Sequence, residues 1–231
     1  MCVEDSLTLI LSFIFQYTHV QMPSITYAII YELKVVVREV VWANAQKNYH
    51  RKYFCVLNLS VYLHYSPRLS EIDISHNGVS RLNEGTFGML TRLSVLDLSH
   101  NSLLIIESNV LVGMNVTNLD LGYNSLRRPP TLPLRKLEFT KTLILDGNPF
   151  EILEEGDISN IRAEFISMSH CHQLLRLEKN AIENLPELKT LTINGNKRLA
   201  YIDPHFIKST PRVIKILQYD KIWYHYRTIL Q

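Results

Sequence analysis

One phrase that returns along this chain at near-constant spacing constrains its fold more than any other feature. Five asparagines and one cysteine hold the same place in six successive phrases: Asn77, Asn101, Asn124, Asn148, Cys171 and Asn196. The steps between them are 24, 23, 24, 23 and 25 residues. Internal repeats of this length are typical of solenoids, in which each repeat forms one coil and stacks on the next.

Each phrase fits or approaches the template LxxLxLxxN, as in LSEIDISHN, which ends at Asn77, and LSVLDLSHN, which ends at Asn101. Side chains alternate along a strand, so the two apolar residues of LxL point inward while their neighbours point outward. One coil cannot bury that inward face alone, so parallel coils about 4.8 Å apart must share a core. The sequence therefore predicts an α/β-type solenoid, mostly strand and coil, curved, with its parallel strands on the concave face.

The six repeated positions form what we call the ladder. An asparagine that turns into the core can satisfy backbone N–H and C=O groups left free where the chain leaves the strand. At Cys171 a thiol takes this place, which packs as a small apolar group and is a weak hydrogen-bonding substitute. We therefore assign the ladder a structural role.

The opposite, convex side of each coil has little room. Coils of 23 to 25 residues leave few positions for a full helix after the strand. The segment 127–133 reads RRPPTLP, and prolines so placed disfavour regular helix. We expect short turns and extended segments on this side, without regular helix at 127–133.

The repeats divide the chain into parts of different character. Residues 69–212 form the predicted solenoid of about six repeats, 54–68 a partial repeat or irregular cap, and 213–231 a tail or degenerate repeat. Residues 1–53 are an uncertain amino-terminal segment. Its apolar run 7–15 follows acidic Glu4 and Asp5, which is unlike a secretory signal, and charged residues interrupt the next apolar stretch. The sequence predicts no transmembrane segment.

Composition excludes several classes of function. Lys and Arg total 24 against 22 Asp and Glu, so a net charge of +2 supplies no field that would attract nucleic acid. The three cysteines are far apart, which argues against a disulfide framework or a zinc site. Nucleophile-elbow, zinc-protease, phosphate-loop, dinucleotide and EF-hand motifs are absent. We expect no catalytic residues, cofactor or bound metal in this chain.

The outward strand positions carry the candidate binding residues. One outward column contains aspartates in its first three coils, which suits a basic segment, although exposed charge on a solvated sheet needs no ligand. Two histidines should be neighbours beside the ladder, and the next coils offer too few ligands to complete a zinc site. A phenylalanine on this polar face could anchor a partner or pack against its neighbours. The predicted concave binding face consists of Glu71, Asp73, Asp97, Asp120, Phe165, His76 and His100.

Two tripeptides have the form of N-glycosylation sequons. They are Asn58-Leu59-Ser60 and Asn115-Val116-Thr117. Asn115 is expected in the turn where one coil passes to the next. Sequons also arise by chance, so these two favour a secreted context only slightly.

Residues 69–114 fit the longer pattern LxxLxLxxNxLxxLxxxxFxxL, which resembles the typical subfamily of leucine-rich-repeat proteins, most of them extracellular. Residues 163–207 have a cysteine at the ladder position and then a longer coil, NKRLAYIDPHF. This stretch is similar to the leucine-rich repeat neuronal proteins and their invertebrate relatives, which are single-pass adhesion or receptor-like proteins. Those proteins have cysteine-clustered caps and usually a membrane span, which this sequence lacks. We interpret the chain as a fragment or an imperfect gene model.

The resemblance implies a non-catalytic scaffold that binds a protein partner through its concave face, as part of a cell-surface or extracellular protein. The alternative is an intracellular, cytoplasmic leucine-rich-repeat adaptor. A third class, an enzyme whose catalytic part lies outside this chain, is neither supported nor excluded by these residues. A signal sequence, capping cysteines or a membrane span in the intact coding sequence would favour the first interpretation.

Overall fold

A computed structural model describes residues 70–88, 90–210 and the backbone of 215–217. The predicted segments 1–53 and 54–68 lie outside the described residues, as does Asn58. The described elements are β1 (Glu71–Asp73), β2 (Arg81–Leu82), β3 (Val95–Asp97), β4 (Ile105–Ile106), β5 (Asn115–Asp120), α1 (Thr131–Arg135), β6 (Phe139–Ile144), β7 (Ile152–Leu153), β8 (Ile158–Ser159), β9 (Ala163–Ser167), β10 (Arg176–Leu177), β11 (Ile182–Glu183), β12 (Thr190–Thr192), β13 (Tyr201–Ile202), β14 (Ile207–Lys208) and β15 (Lys215–Leu217).

The main sheet confirms the predicted solenoid. Its seven strands lie in the order β1-β3-β5-β6-β9-β12-β15, so each strand pairs with the corresponding strand of the next coil. Every pairing is parallel, as expected for a chain that returns to the same side of the molecule once per coil. The register aligns one inward row, which consists of Ile72, Leu96, Leu119, Leu143, Ile166 and Leu191.

The remaining sides of the coils are built from two-residue strands, as the short coil length predicts. These strands form parallel ladders in the orders β13-β10-β7, β14-β11-β8 and β2-β4. Coils four to six therefore carry strand pairing on three sides. This extra pairing fixes the spacing of successive coils away from the main sheet as well as within it.

The expectation that segment 127–133 contains no regular helix is wrong. The five-residue helix α1 begins directly after Pro130 and contains Pro133, which is buried. The N–H groups in the first turn of a helix have no acceptor within it, so Pro133 removes no helical hydrogen bond. The helix closes with a 3.1 Å hydrogen bond from the Leu134 N–H to the Pro130 carbonyl. Prolines at this position permit one helical turn.

The core is one apolar stack beneath the main sheet. Leu98, Leu121 and Leu145 form part of the second inward row, and each is fully buried. Phe87 and Phe150 are 1% and 0% exposed. Burying a side chain of this size contributes roughly 1.5–3 kcal/mol, so the stack supplies the main stabilisation of the solenoid.

The ladder side chains bond the backbone of adjacent coils. The Asn148 side-chain amide donates to the carbonyls of Leu121 and Leu145, both at 3.0 Å. Its oxygen accepts the Leu126 N–H at 3.2 Å. Asn124 and Asn101 repeat this arrangement one and two coils earlier, respectively. These three asparagines therefore each tie the turn of their own coil to the preceding coil.

Cys171 occupies the ladder position with a different contact set. Its sulfur lies 3.8 Å from the Leu145 carbonyl and 3.7 Å from the Ser169 carbonyl, longer and weaker contacts than the amides make. Burial raises the pKa of this thiol to about 12, so it stays protonated at neutral pH. Its backbone N–H donates to the Asn196 side-chain oxygen at 2.8 Å, which continues the ladder to the next coil.

Candidate functional site

The outward face of the main sheet, which we call the concave face, displays the side chains between the inward rows. Register places Asp73, Asp97 and Asp120 side by side on β1, β3 and β5. We call these three residues the acidic row. The same line continues through Ile144, Ser167 and Thr192 on the next three strands.

Each carboxylate of the acidic row also bonds its own backbone. The side chains of Asp73, Asp97 and Asp120 accept the N–H two residues further along, at 3.0, 2.9 and 2.8 Å. Such local bonds turn the chain out of a strand, which gives these aspartates a structural role in addition to their charge. Sequence reasoning missed this role, although an aspartate two residues before serine or glycine at a strand end signals it.

Asp120 has the most perturbed electrostatics of the row. Burial of its carboxyl raises its pKa to about 6, and the negative charges of Asp97 and Asp146 add to that rise. The hydrogen bond from the Gly122 N–H acts in the opposite direction. The Asp120 carboxylate therefore lies close enough to both Asp97 and Asp146 to be repelled by each of them.

The raised pKa of Asp120 predicts a pH-dependent stability. The ordinary value of 3.8 applies to the unfolded chain, so ionisation favours unfolding and its destabilising effect is fully present above about pH 6. Asp120→Asn keeps an acceptor for the Gly122 N–H and removes the charge. Allowing for partial solvent screening, we expect it to raise the free energy of unfolding by about 1 kcal/mol near pH 8.

The gain should nearly disappear near pH 3, where Asp120 is protonated in the folded state and largely so in the unfolded state. Urea denaturation at the two pH values measures it. Glu151→Gln is the matched control, because Glu151 is an exposed carboxylate away from the acidic row. A gain from Asp120→Asn that is equal at both pH values would contradict the assigned cause.

In the fourth coil, Ile144 occupies the position of the acidic row, and the nearest aspartate is Asp146, two residues further along. Its carboxylate accepts the Ser167 hydroxyl at 2.6 Å and the Ser169 N–H at 2.7 Å, both from the next coil. The acidic group is therefore moved by two positions and bonds across coils instead of within one. Sequence reasoning did not single out Asp146, because its position is filled by serine or glycine in the preceding coils.

A row of stacked rings borders the acidic row at the strand ends. The His76 and His100 rings stack with centroids 4.1 Å apart, and His100 stacks on Tyr123 at 4.5 Å. All three residues have positive φ, between 52° and 55°. At the next position, Gly147 has a φ of 66° and the Tyr123 ring lies where a Cβ would stand, so glycine is required there.

Sequence reasoning placed His76 and His100 as neighbours, and the structure brings them together. It does not build a metal site around them. Within residues 70–88 and 90–210, no group of three or more His, Cys, Asp or Glu side chains is arranged to hold an ion. The ring row is therefore a mostly exposed aromatic and polar edge of the concave face.

The later coils give the concave face an apolar area. Phe165 on β9 is half-buried and pairs in register with Thr142 and Thr190. Ile144 lies one strand earlier in the neighbouring row and is also half-buried. We call Ile144 and Phe165 the apolar patch. At the other end of the array, Glu71 and His76 lie exposed on the first coil.

Asn115 does not lie in a turn as predicted. It is the first residue of β5. Relative to the inward row, β5 starts earlier than β1 and β3, because Asn115 and Val116 pair with Phe139 and Thr140 of β6. Its side chain is exposed. In the part of the chain that the structure describes, no helix is long and apolar enough to cross a membrane.

Comparison with known proteins agrees with this geometry. The family model described as leucine rich repeat matches residues 67–126. Mouse keratocan is 30% identical over 166 residues, which cover 62% of this chain and 44% of keratocan. Chicken tsukushi is 26% identical over 185 residues, covering 57% of this chain and 48% of tsukushi.

A third relative is much longer than this chain. Chaoptin of Drosophila melanogaster is 27% identical over 138 residues, covering 55% of this chain and 10% of chaoptin. The matched regions thus span less than half the length of each of these three relatives.

Proposed function

The chain is a leucine-rich-repeat protein, and from that premise we propose that it recognises a protein partner through its concave face. The observation that carries the proposal is one continuous sheet surface on which the acidic row leads into the apolar patch. Binding, and not catalysis, is the role that fits, because the repeats of the relatives belong to non-enzymatic proteins.

Charge supports a basic partner segment. Asp97 and Asp146 both repel the Asp120 carboxylate, and the pKa of Asp120 rises as a result of burial and of these charges. A lysine or arginine placed over them would relieve that repulsion. Complementary charge of this kind steers association and raises the rate of encounter.

The apolar patch supports an anchoring role for the later coils. Phe165 and Ile144 are half-buried, and threonine and serine side chains are their neighbours in register on the adjacent strands. A partner side chain packed on Phe165 would be surrounded by Thr142 and Thr190, whose polar groups can face solvent. Aromatic anchors in such surroundings carry a large share of binding energy at protein interfaces.

The relatives support an extracellular setting. Keratocan and tsukushi are secreted matrix proteins and chaoptin is a cell-surface protein. We place this chain outside the cell or at its surface, as part of an adhesion or receptor-like protein. The concave face would then meet a protein of the matrix or of a neighbouring cell.

The proposal is tested with a partner selected by surface display against the full chain. The double variant Asp97→Asn, Asp120→Asn keeps the local hydrogen-bond acceptors and removes two charges. We expect it to lower the association rate by about tenfold at low salt and by much less at high salt. Phe165→Ala should instead raise the dissociation rate, because it removes contact area in the formed complex.

Glu107→Gln is the control on the convex side, where Glu107 pairs with Arg81 at 2.5 Å. It should leave both rate constants unchanged within about twofold, as expected of a residue outside the interface. Loss of binding in the control, together with unchanged binding in the double variant and in Phe165→Ala, would contradict the proposal.

A further inference from the structure

The start of β5 presents a modification sequence in an accessible form. Asn115 and Thr117 are both exposed, while Val116 between them is 1% exposed and fixes the strand to the core. Within the described part of the chain, no hydrogen bond engages the Asn115 side chain. The tripeptide therefore holds its two chemically required side chains on the surface of the folded coil.

The neighbouring strand offers a support for a bound sugar. Phe139 pairs in register with Asn115, and paired residues of parallel strands point to the same face of the sheet. The Phe139 side chain is half-buried, so part of its ring meets solvent. A sugar ring on Asn115 could cover this apolar surface with its own C–H face, which would remove it from water.

We propose that Asn115 carries an N-linked oligosaccharide, an inference that rests on the extracellular setting proposed above. The donor class is an oligosaccharide attached to a lipid diphosphate. The Asn115 amide nitrogen forms a bond to the anomeric carbon of the first sugar, and the bond from that carbon to the lipid diphosphate breaks. The amide loses one proton and the lipid diphosphate leaves, so no oxidant or reductant is needed.

The position of Asn115 decides what the oligosaccharide does to the recognition surface. Asn115 lies at the entry of β5 and Asp120 at its exit, which are separated by about 16 Å along an extended strand. The sugar chain therefore borders the concave face on the side away from the acidic row and the stacked rings. We expect it to shield the strand entries and to leave partner binding unchanged.

The experiment expresses the full chain behind an added secretory leader in cultured animal cells. Protein from cells and medium is pooled, so modification is measured whether or not the chain is exported. Peptide N-glycosidase F converts a modified asparagine to aspartate, which mass spectrometry locates. We expect conversion at Asn115, its loss in Asn115→Gln and Thr117→Ala, and its retention in Thr117→Ser, which preserves the hydroxyl.

Asn118→Gln is the matched control, since Asn118 is an exposed asparagine of the same strand that is followed by Leu119 and Asp120. It should leave conversion at Asn115 unchanged. Unmodified Asn115 in the pooled protein, or modification confined to Asn58, overturns the inference. Partner binding is measured with unmodified bacterial protein, so the test of the proposed function does not depend on whether Asn115 is modified.

Discussion

Replacing Asn148 by alanine is expected to lower the free energy of unfolding by about 3–6 kcal/mol, since buried groups left without partners cost roughly 1–3 kcal/mol each. Asn148 is fully buried in the fourth coil. Its removal leaves the carbonyls of Leu121 and Leu145 and the N–H of Leu126 without the side chain that bonds them.

Urea denaturation of the full chain measures the effect of Asn148→Ala. Asn118→Ala is the matched control, because it makes the same chemical change at an exposed asparagine, on β5. The control should change the free energy of unfolding by less than about 0.5 kcal/mol, as exposed substitutions usually do. Equal losses in the two variants would mean that the ladder does not contribute to stability through its buried amides.

Leu121→Ala is expected to cost about 2–5 kcal/mol, the range for a leucine truncated in a packed core. Leu121 is fully buried in the middle of the solenoid. Its neighbours in the same inward row, Leu98 and Leu145, are held in place by backbone hydrogen bonds between coils. The surrounding coils therefore have little freedom to collapse into the cavity that the alanine would leave.

Leu104→Ala makes the same chemical change at a side chain that is 59% exposed. It should cost far less than Leu121→Ala in the same denaturation experiment, because it opens no cavity. A loss for Leu104→Ala as large as that for Leu121→Ala would show that the inward and outward phase of the coils has been misassigned.

The inward and outward assignment of the strands could be predicted from the sequence, because the ladder spacing aligns the coils. Once Asn101 and Asn124 are matched, alternation decides the direction of the residues that flank the inward row, such as Asn118 and Asp120 on either side of Leu119. The adjacency of the acidic row and of His76 and His100 follows from the same alignment. When similar coils stack, residues that are one repeat apart in the sequence become neighbours in space.

Features that depend on differences between coils were not predictable in this way. Asp146 bonds Ser167 and Ser169 of the next coil only because Ile144 replaces the aspartate of its own coil. The Tyr123 ring extends the histidine stack because Gly147 leaves its space empty. Each depends on side chains that no repeat template contains, so the template could not signal it.

Helix α1 and the early start of β5 were missed for a related reason. The helix lies where the third coil passes to the fourth and the start of β5 where the second passes to the third, and both depend on local backbone geometry. A proline in a first helical turn removes no bond, so the proline pattern at 127–133 did not exclude α1. The extension of β5 depends on its pairing with Phe139 and Thr140 of β6. The ladder alignment places these segments next to each other, but it does not say whether their backbones are hydrogen-bonded.

Recognition by the concave face is tested most directly by hydroxyl-radical footprinting of the full chain with and without the selected partner. Tyr123, His100 and Phe165 lie on the concave face, and Tyr123 is 45% exposed. On the convex side, Ile105 and Leu132 are 71% and 62% exposed. We predict that the partner lowers oxidation of Tyr123, His100 and Phe165 severalfold and leaves Ile105 and Leu132 unchanged. Protection of Ile105 and Leu132, with continued oxidation of the concave residues, would contradict recognition by the concave face.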